Sequence, residues 1–330
     1  MTTYVLKGGE QISLPTRPLI VQYEPSGAAV PFRLVASVPN GTPIAIERQG
    51  MLVLPKLQQP TTVRVLPDGG ELFPPQSLVN VVIGPDGSGP APDYVKISLD
   101  LSGLPSEELF LLEPQGPTIR VTSLSMPNAP KLPAQAELAR DVARELLGVS
   151  YVAQRAVDLT VGVDCSPSMR FFVADGSLEA ALNIFAGMAS VIDPNHAVEP
   201  VLCGRVATRL TAEPIDEFAA KTVAEVRTQP LATGCRSAAL TTNGAKTITY
   251  LISDGIPADL RQRKDAPPHL AVLSVGSAAE PPPLPPGVVA TMMPVSAGQR
   301  QRGVLWDRWA ARTIVGSLLT SYPMPDRERA

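Results

Sequence analysis

Histidine and cysteine are scarce in this chain of 330 residues, which holds 2 of the first and 3 of the second. His196 and His269 both stand near expected strand starts, a placement that reads as structural and offers no pattern for imidazole catalysis. Cys165, Cys203 and Cys235 lack the paired spacing of a zinc site. They are too few for a disulfide scaffold and fit a reducing compartment. Charged residues are 18% of the chain and the net charge is −3, without the basic surplus of a nucleic-acid binder. No apolar run reaches the roughly 18 to 20 residues that span a bilayer. Residues 1–14 lack the basic start and apolar stretch of a signal peptide. The expectation is a soluble, cytoplasmic protein with no membrane span and no nucleic-acid partner.

What the chain does have is apolar residues, at 44%, enough for packed cores, and a length that allows two domains. Up to about residue 125 it reads as β structure. Short alternating or apolar runs recur at 19–23, 32–38, 43–47, 62–66, 78–83, 94–99 and 118–121. Turn sequences such as Pro39-Asn40-Gly41 and Pro67-Asp68-Gly69-Gly70 punctuate them. Many short strands with Pro- and Gly-rich turns point to an all-β sandwich. After the proline-marked stretch 127–133, the period changes. Leu138, Val142 and Leu146 adjoin Ala139, Ala143 and Leu147 on helical stripes, with Gly148 as a C-cap.

From residue 157 strands and helices alternate. Residues 157–163 form a nearly continuous apolar run, the pattern of a strand buried on both faces of a parallel sheet. Ser177 is the expected cap of a helix running to about residue 191. Residues 198–203 and 206–210 read as a strand pair, 215–227 as a helix, 247–252, 270–275 and 288–292 as strands, and 301–322 as a closing helix. Trp306, Trp309 and Ile314 read as the core face of that last helix. The order predicts an open α/β sheet with helices on both faces. The expected division is 1–126 for the sandwich, 127–154 for linker and helix, 155–322 for the α/β domain and 323–330 for a tail.

Ligands of open α/β sheets bind at the carboxyl ends of the strands. Three polar clusters fall there: Asp164-Cys165-Ser166-Pro167-Ser168-Met169, Thr233-Gly234 and Ser253-Asp254-Gly255. All offer hard oxygen donors, which suit Mg²⁺ or Mn²⁺ and are poor for soft metals. Asp and Ser are also common turn residues, so the first cluster read alone is equally a turn. Cys165 has no basic neighbour in sequence and reads as an inert thiol.

Asp164-x-Ser166-x-Ser168, then Thr233, then Asp254 resembles the metal-ion-dependent adhesion site of von Willebrand factor A (VWA) domains. The stretches 164–169, 175–176, 204–210 and 251–255 are similar to the VWA domain of bacterial tellurium-resistance proteins of the TerF type. The resemblance covers roughly residues 155–320. It implies that Ser166 and Ser168 ligate the metal directly and that Thr233 does so directly or through water. Asp164 and Asp254 would act through water or hold the other ligands, and an open position would take an acidic oxygen from a protein partner. The chain departs from the pattern around Thr233, where Leu231-Ala232-Thr233-Gly234-Cys235-Arg236 replaces a glycine-rich segment. Residues 6–14 and 86–105 resemble the opening and a late strand of TerD-family stress proteins. That family binds Ca²⁺ with clustered carboxylates, and here Arg33 and Val35 stand where carboxylates would be needed, so no Ca²⁺ is expected in the N-terminal domain.

The resulting expectation is an N-terminal all-β sandwich plus a C-terminal α/β, Rossmann-like VWA domain with a central, mostly parallel sheet. Its function would be metal-dependent binding of a protein partner in a bacterial stress response resembling tellurium resistance, with no catalysis. The rival readings are a metal-dependent hydrolase using Asp164 or Asp254 as base, and an adaptor of an ATP-driven remodelling machine. An enzyme would need a deep pocket and a positioned base, whereas a gripping site would be shallow and exposed.

Overall fold

Alternating burial organises the strands of the first half. In a computed structural model, which describes residues 2–25, 31–48, 50–86, 93–124, 131–152, 158–193, 197–229, 234–240, 247–262, 270–276, 284, 288–293 and 308–320, eleven strands precede the first helix. They are β1 (Thr3–Val5), β2 (Gln11–Pro15), β3 (Leu19–Pro25), β4 (Phe32–Ser37), β5 (Ile46–Arg48), β6 (Met51–Leu54), β7 (Thr61–Pro67), β8 (Leu78–Pro85), β9 (Tyr94–Asp100), β10 (Glu107–Gln115) and β11 (Thr118–Ser123). In β7, β9 and β11 every second side chain is buried, the period of a strand with one face on a core. One sheet runs β1-β9-β8-β3-β6-β5 and another β2-β11-β10-β7-β4. All their pairings are antiparallel except β1 with β9. Both sheets contribute to one core that includes Leu19, Val63, Val81, Ile97, Phe110 and Val121.

These strands form one compact unit, Met1–Ala129 with Gly148–Ser150. The second unit holds Pro130–Leu147 and Tyr151–Ala330. Its elements are α1 (Ala134–Leu147), β12 (Asp158–Asp164), α2 (Met169–Ala174), α3 (Ser177–Ile192), β13 (Ala197–Cys203), β14 (Ala207–Arg209), β15 (Glu213–Pro214), α4 (Ile215–Thr228), β16 (Thr247–Ser253), α5 (Ala258–Gln262), β17 (Leu270–Ser274), β18 (Val288–Met292) and α6 (Arg308–Leu319). The sheet order is β14-β13-β12-β16-β17-β18, with β15 paired to β13. Strands β13, β12, β16, β17 and β18 are mutually parallel. Strands β14 and β15 run antiparallel to β13, because short reversals can only return the chain in that sense.

Helix α1 packs on α3 at backbone distance: a Cβ added to Gly187 would lie 2.0 Å from the Ala136 carbonyl oxygen. Only glycine permits that approach. Helix α3 is buried along nearly its whole length. Its cap differs from the expected one, since Gly176 occupies the N-cap position with φ of 83° and Ser177 is the first helical residue. The Asp175 carboxylate instead accepts the Ser177 amide hydrogen bond at 2.9 Å, supplying the oxygen that an N-terminus requires. Trp309, expected in the core, is 71% exposed. The buried stripe of α6 runs through Ala311, Ile314, Val315 and Leu318, and Trp309 lies off it. Among the described residues, no helix is long and apolar enough to cross a membrane.

The expected fold class requires correction. The chain is largely β, with 40% of the described residues in strands and 28% in helices. Among the described residues the strands form three sheets, and antiparallel pairings outnumber parallel ones. This is not a clear N-terminal sandwich followed by a C-terminal VWA-type α/β domain. The physical reason is that hydrophobic runs announce strands but not their partners. Short turns favour antiparallel neighbours, and strands far apart in sequence also pair, as β1 does with β9 in parallel.

Candidate functional site

Strands β12 and β16 pair in parallel with Val163 opposite Ile252, so Asp164 and Ser253 leave the sheet side by side. Asp164 is buried, at 2% exposure, and its carboxylate is fully engaged. Oδ2 accepts a 2.6 Å hydrogen bond from the Ser253 hydroxyl, and Oδ1 accepts one of 2.7 Å from the Ser166 amide. A short-range carboxylate-to-amide bond of this kind folds the following residues into a tight turn. The amide of Cys165 donates to the Cys203 carbonyl at 3.0 Å, holding the turn to β13. Met169, 1% exposed, anchors the start of α2. The turn brings the Ser166 and Ser168 hydroxyls into a hydrogen bond with one another at 2.9 Å, with Ser166 buried and Ser168 exposed.

The next strand over completes the edge. The Val275 amide donates to the Ser253 carbonyl at 2.8 Å. Gly276 then passes so close that a Cβ there would lie 1.8 Å from the Asp254 carbonyl oxygen. Asp254 follows β16 directly and is half-buried.

Burial pushes the Asp164 carboxyl above its ordinary value of 3.8. The Ser253 hydroxyl and the Ser166 amide and hydroxyl pull it back, while the nearby Asp254 charge pushes it up further. Burial, then the neighbouring Cys203 and Asp164, push the Cys165 thiol up to about 12. Cys235 is raised as well, first by its hydrogen bond to Cys203 and then by burial. These thiols are poor nucleophiles.

Of the five residues expected at the site, Asp164, Ser166 and Ser168 come together in one turn. Asp254 lies close enough to act on the Asp164 charge. Thr233 lies outside the described residues. Ser253 was not expected to touch Asp164, yet it supplies the shortest hydrogen bond to it. Among the described residues no group of three or more His, Cys, Asp or Glu side chains could hold a metal ion; the donors at this edge are hydroxyls with two carboxylates. Such a set suits a hard cation. An octahedral Mg²⁺ with oxygens at about 2.0–2.1 Å places adjacent ligands about 2.9 Å apart, the separation of the two serine hydroxyls. Asp164, with both oxygens already accepting, fits a role that holds the loop or acts through water. In the other unit, Arg33 and Val35 both lie in β4.

Sequence reasoning also missed a cavity of about 380 Å³ beside Ser166. It lies between α2 and the end of α4, with Met169, Val173 and Val226 as apolar walls and Arg170 and Arg227 as its cationic groups. Arg170, two residues past Ser168, was the available signal.

No family model and no curated protein matches this chain. Among solved structures it is similar to the three N-terminal domains of the type V pili tip protein Mfa5 from Porphyromonas gingivalis. That match has 11% identity and a TM-score of 0.21, and covers 70% of this chain and 28% of the other. A likeness so distant carries no argument about fold or function.

Proposed function

We propose that this chain binds a protein partner through a divalent cation held at the Asp164 turn, as a binding or scaffold protein in a bacterial stress response resembling tellurium resistance. The observation that carries the reading is the pair of hydroxyls, Ser166 and Ser168, hydrogen-bonded to one another at 2.9 Å in the turn that the buried Asp164 carboxylate shapes. The resemblance of Asp164-x-Ser166-x-Ser168 to a metal-ion-dependent adhesion site supports it, and supplies both the stress-response setting and Thr233 as a further ligand. Mg²⁺ or Mn²⁺ is the cation that oxygen donors of this kind favour. When bound, it would offer an open position to an acidic side chain of the partner. The chain's own residues divide the work. Ser166 and Ser168 hold the ion, Asp164 fixes their turn through its bond to the Ser166 amide, and Asp254 adds negative charge beside it. A hydrolytic use of the cluster would call for a carboxylate free to take a proton. Asp164 is buried with both oxygens occupied, which favours holding over proton transfer.

The test is a melting measurement in EDTA, Mg²⁺ and Mn²⁺. A ligand at about 100 times its Kd adds roughly 2.7 kcal/mol to the folded state, so millimolar metal should raise the melting temperature and Asp164→Ala should abolish the rise. The variant carrying both Ser166→Ala and Ser168→Ala should lose the shift while keeping its circular dichroism, since both side chains lie beyond the strand end. Wild-type melting that ignores both metals would refute the proposal.

A further inference from the structure

We infer that the cavity beside Ser166 seats one bulky apolar side chain of the partner, in a segment that carries carboxylates on either side of that residue. The inference rests on the proposed reading of the Asp164 turn as a protein-binding site. It starts from the cavity's chemistry. About 380 Å³ falls within the range of small-ligand pockets, roughly 300–1,000 Å³. Met169, Val173 and Val226 present apolar walls, so the occupant that gains by entering is apolar.

The rim decides what flanks it. Arg170 and Arg227 line the cavity and are exposed. Elsewhere in this unit Arg209 pairs with Glu199, and Arg308 and Arg312 pair with Glu145. Neither Arg170 nor Arg227 has such a partner among the described residues. Two guanidiniums with no described carboxylate as partner, beside an apolar hollow, complement carboxylates, which they bind in a forked geometry. Ser166 lines the cavity and also belongs to the hydroxyl pair. A segment whose apolar residue fills the hollow brings its flanking residues within reach of Ser166 and of the two arginines that line it. The partner chemistry is thus acidic–apolar–acidic, which is more specific than an acidic residue alone.

The test uses the full chain and fluorescein-labelled peptides, read by fluorescence anisotropy in Mg²⁺. The probes are Gly-Ser-Asp-Phe-Glu-Ser-Gly, the same peptide with Ala for Phe, and the same peptide with Asn and Gln for Asp and Glu. The Phe peptide should bind about tenfold or more tightly than the Ala peptide, and the uncharged peptide should lose most of its affinity. Ala174→Trp, which places a ring from an exposed position of α2 into the cavity, should bring the Phe peptide down to the level of the Ala peptide. Arg170→Glu with Arg227→Glu should weaken the acidic peptide and leave the uncharged one unchanged, with folding checked by circular dichroism. Equal affinity of the Phe and Ala peptides, no binding of the Phe peptide at millimolar concentration, or indifference to Ala174→Trp would overturn the inference. EDTA separates the two proposals. A Phe preference that survives EDTA without any loss of affinity keeps the cavity and sinks the metal reading. EDTA-sensitive binding with no Phe preference does the reverse.

Discussion

Replacing Gly276 by alanine probes the placement of Asp254 without touching an ionisable group. The new Cβ would stand 1.8 Å from the Asp254 carbonyl oxygen, 2.8 Å from its carbonyl carbon and 3.2 Å from its Cα. All three atoms are backbone, so no side-chain rotation relieves the overlap. Favourable carbon contacts begin near about 3.5 Å, which requires the Asp254 peptide to retreat by more than about 1 Å. Overpacking of this kind costs about 1–3 kcal/mol, against an unfolded-state gain of about 0.4–1 kcal/mol for Gly→Ala. The cost belongs at the upper end of that range because only backbone can move. For units of 150–250 residues each kcal/mol lowers the melting temperature by about 2–4 °C, so a fall of roughly 4–10 °C is expected. Gly255 is the control. A Cβ there meets no atom within 4 Å and its φ is not positive, so Gly255→Ala should be neutral or slightly stabilising. Calorimetry on both variants, with and without Mg²⁺, gives stability and metal response together. Gly276→Ala should lose stability and, by displacing Asp254, part of any metal-induced shift. If the two variants melt alike, the close approach of residue 276 to residue 254 is wrong, and with it the geometry on which Asp254 enters the site.

Two further outcomes follow from the titrating groups. With its thiol pushed up to about 12 and only 8% exposed, Cys165 should resist iodoacetamide at about pH 8 in the native protein and react once unfolded; mass spectrometry showing native labelling would contradict its burial. Because the folded Asp164 carboxyl sits above 3.8, the folded state holds that proton more tightly than the unfolded one, so in EDTA its contribution to stability is present at low pH and lost as pH rises through the raised value. Asp164→Asn should flatten that part of a urea-midpoint profile, and an unchanged slope would refute the burial-driven shift.

The elements legible from sequence were those whose period survives folding. Helix α1 was legible through Ala139, Val142 and Ala143, which its buried face holds together with Ala136, Arg140, Asp141 and Arg144, whereas Leu138, Leu146 and Leu147 are only half-buried. The apolar runs that became β12, β16 and β17 were legible because central strands are buried on both faces. Strand β10 was not. Its register with β7 shifts between Glu108 and Phe110, a bulge that breaks alternation and hides the strand from a period-2 reading. Trp309 was expected on one core face with Ile314 and with Leu305 and Trp306, both of which lie outside the described residues. Large aromatics suggest a core, yet helical spacing from Ala311 through Ile314, Val315 and Leu318 leaves position 309 outside the stripe. The fold class failed at the next level, because strand partners are chosen by contacts far apart in sequence, such as Thr3 with Tyr94.

The site was legible to the extent that it is local. Asp164, Ser166 and Ser168 lie within one turn, and the carboxylate-to-amide bond that shapes it spans two residues, a distance over which residue types alone are informative. Ser253 required more. Its hydroxyl reaches Asp164 across 89 positions of sequence, through a register that sets Val163 beside Ile252. Both runs were recognisable as buried strands, but their relative alignment was not, and a slip of one residue would have turned Ser253 to the opposite face. The arginines beside the cavity fall under the same limit. Arg170 follows the serine turn in sequence, whereas Arg227 ends a helix that only tertiary packing delivers to it. Residue chemistry at one strand end therefore marks a cluster of oxygen donors, and the register between strands decides which neighbours stand beside it.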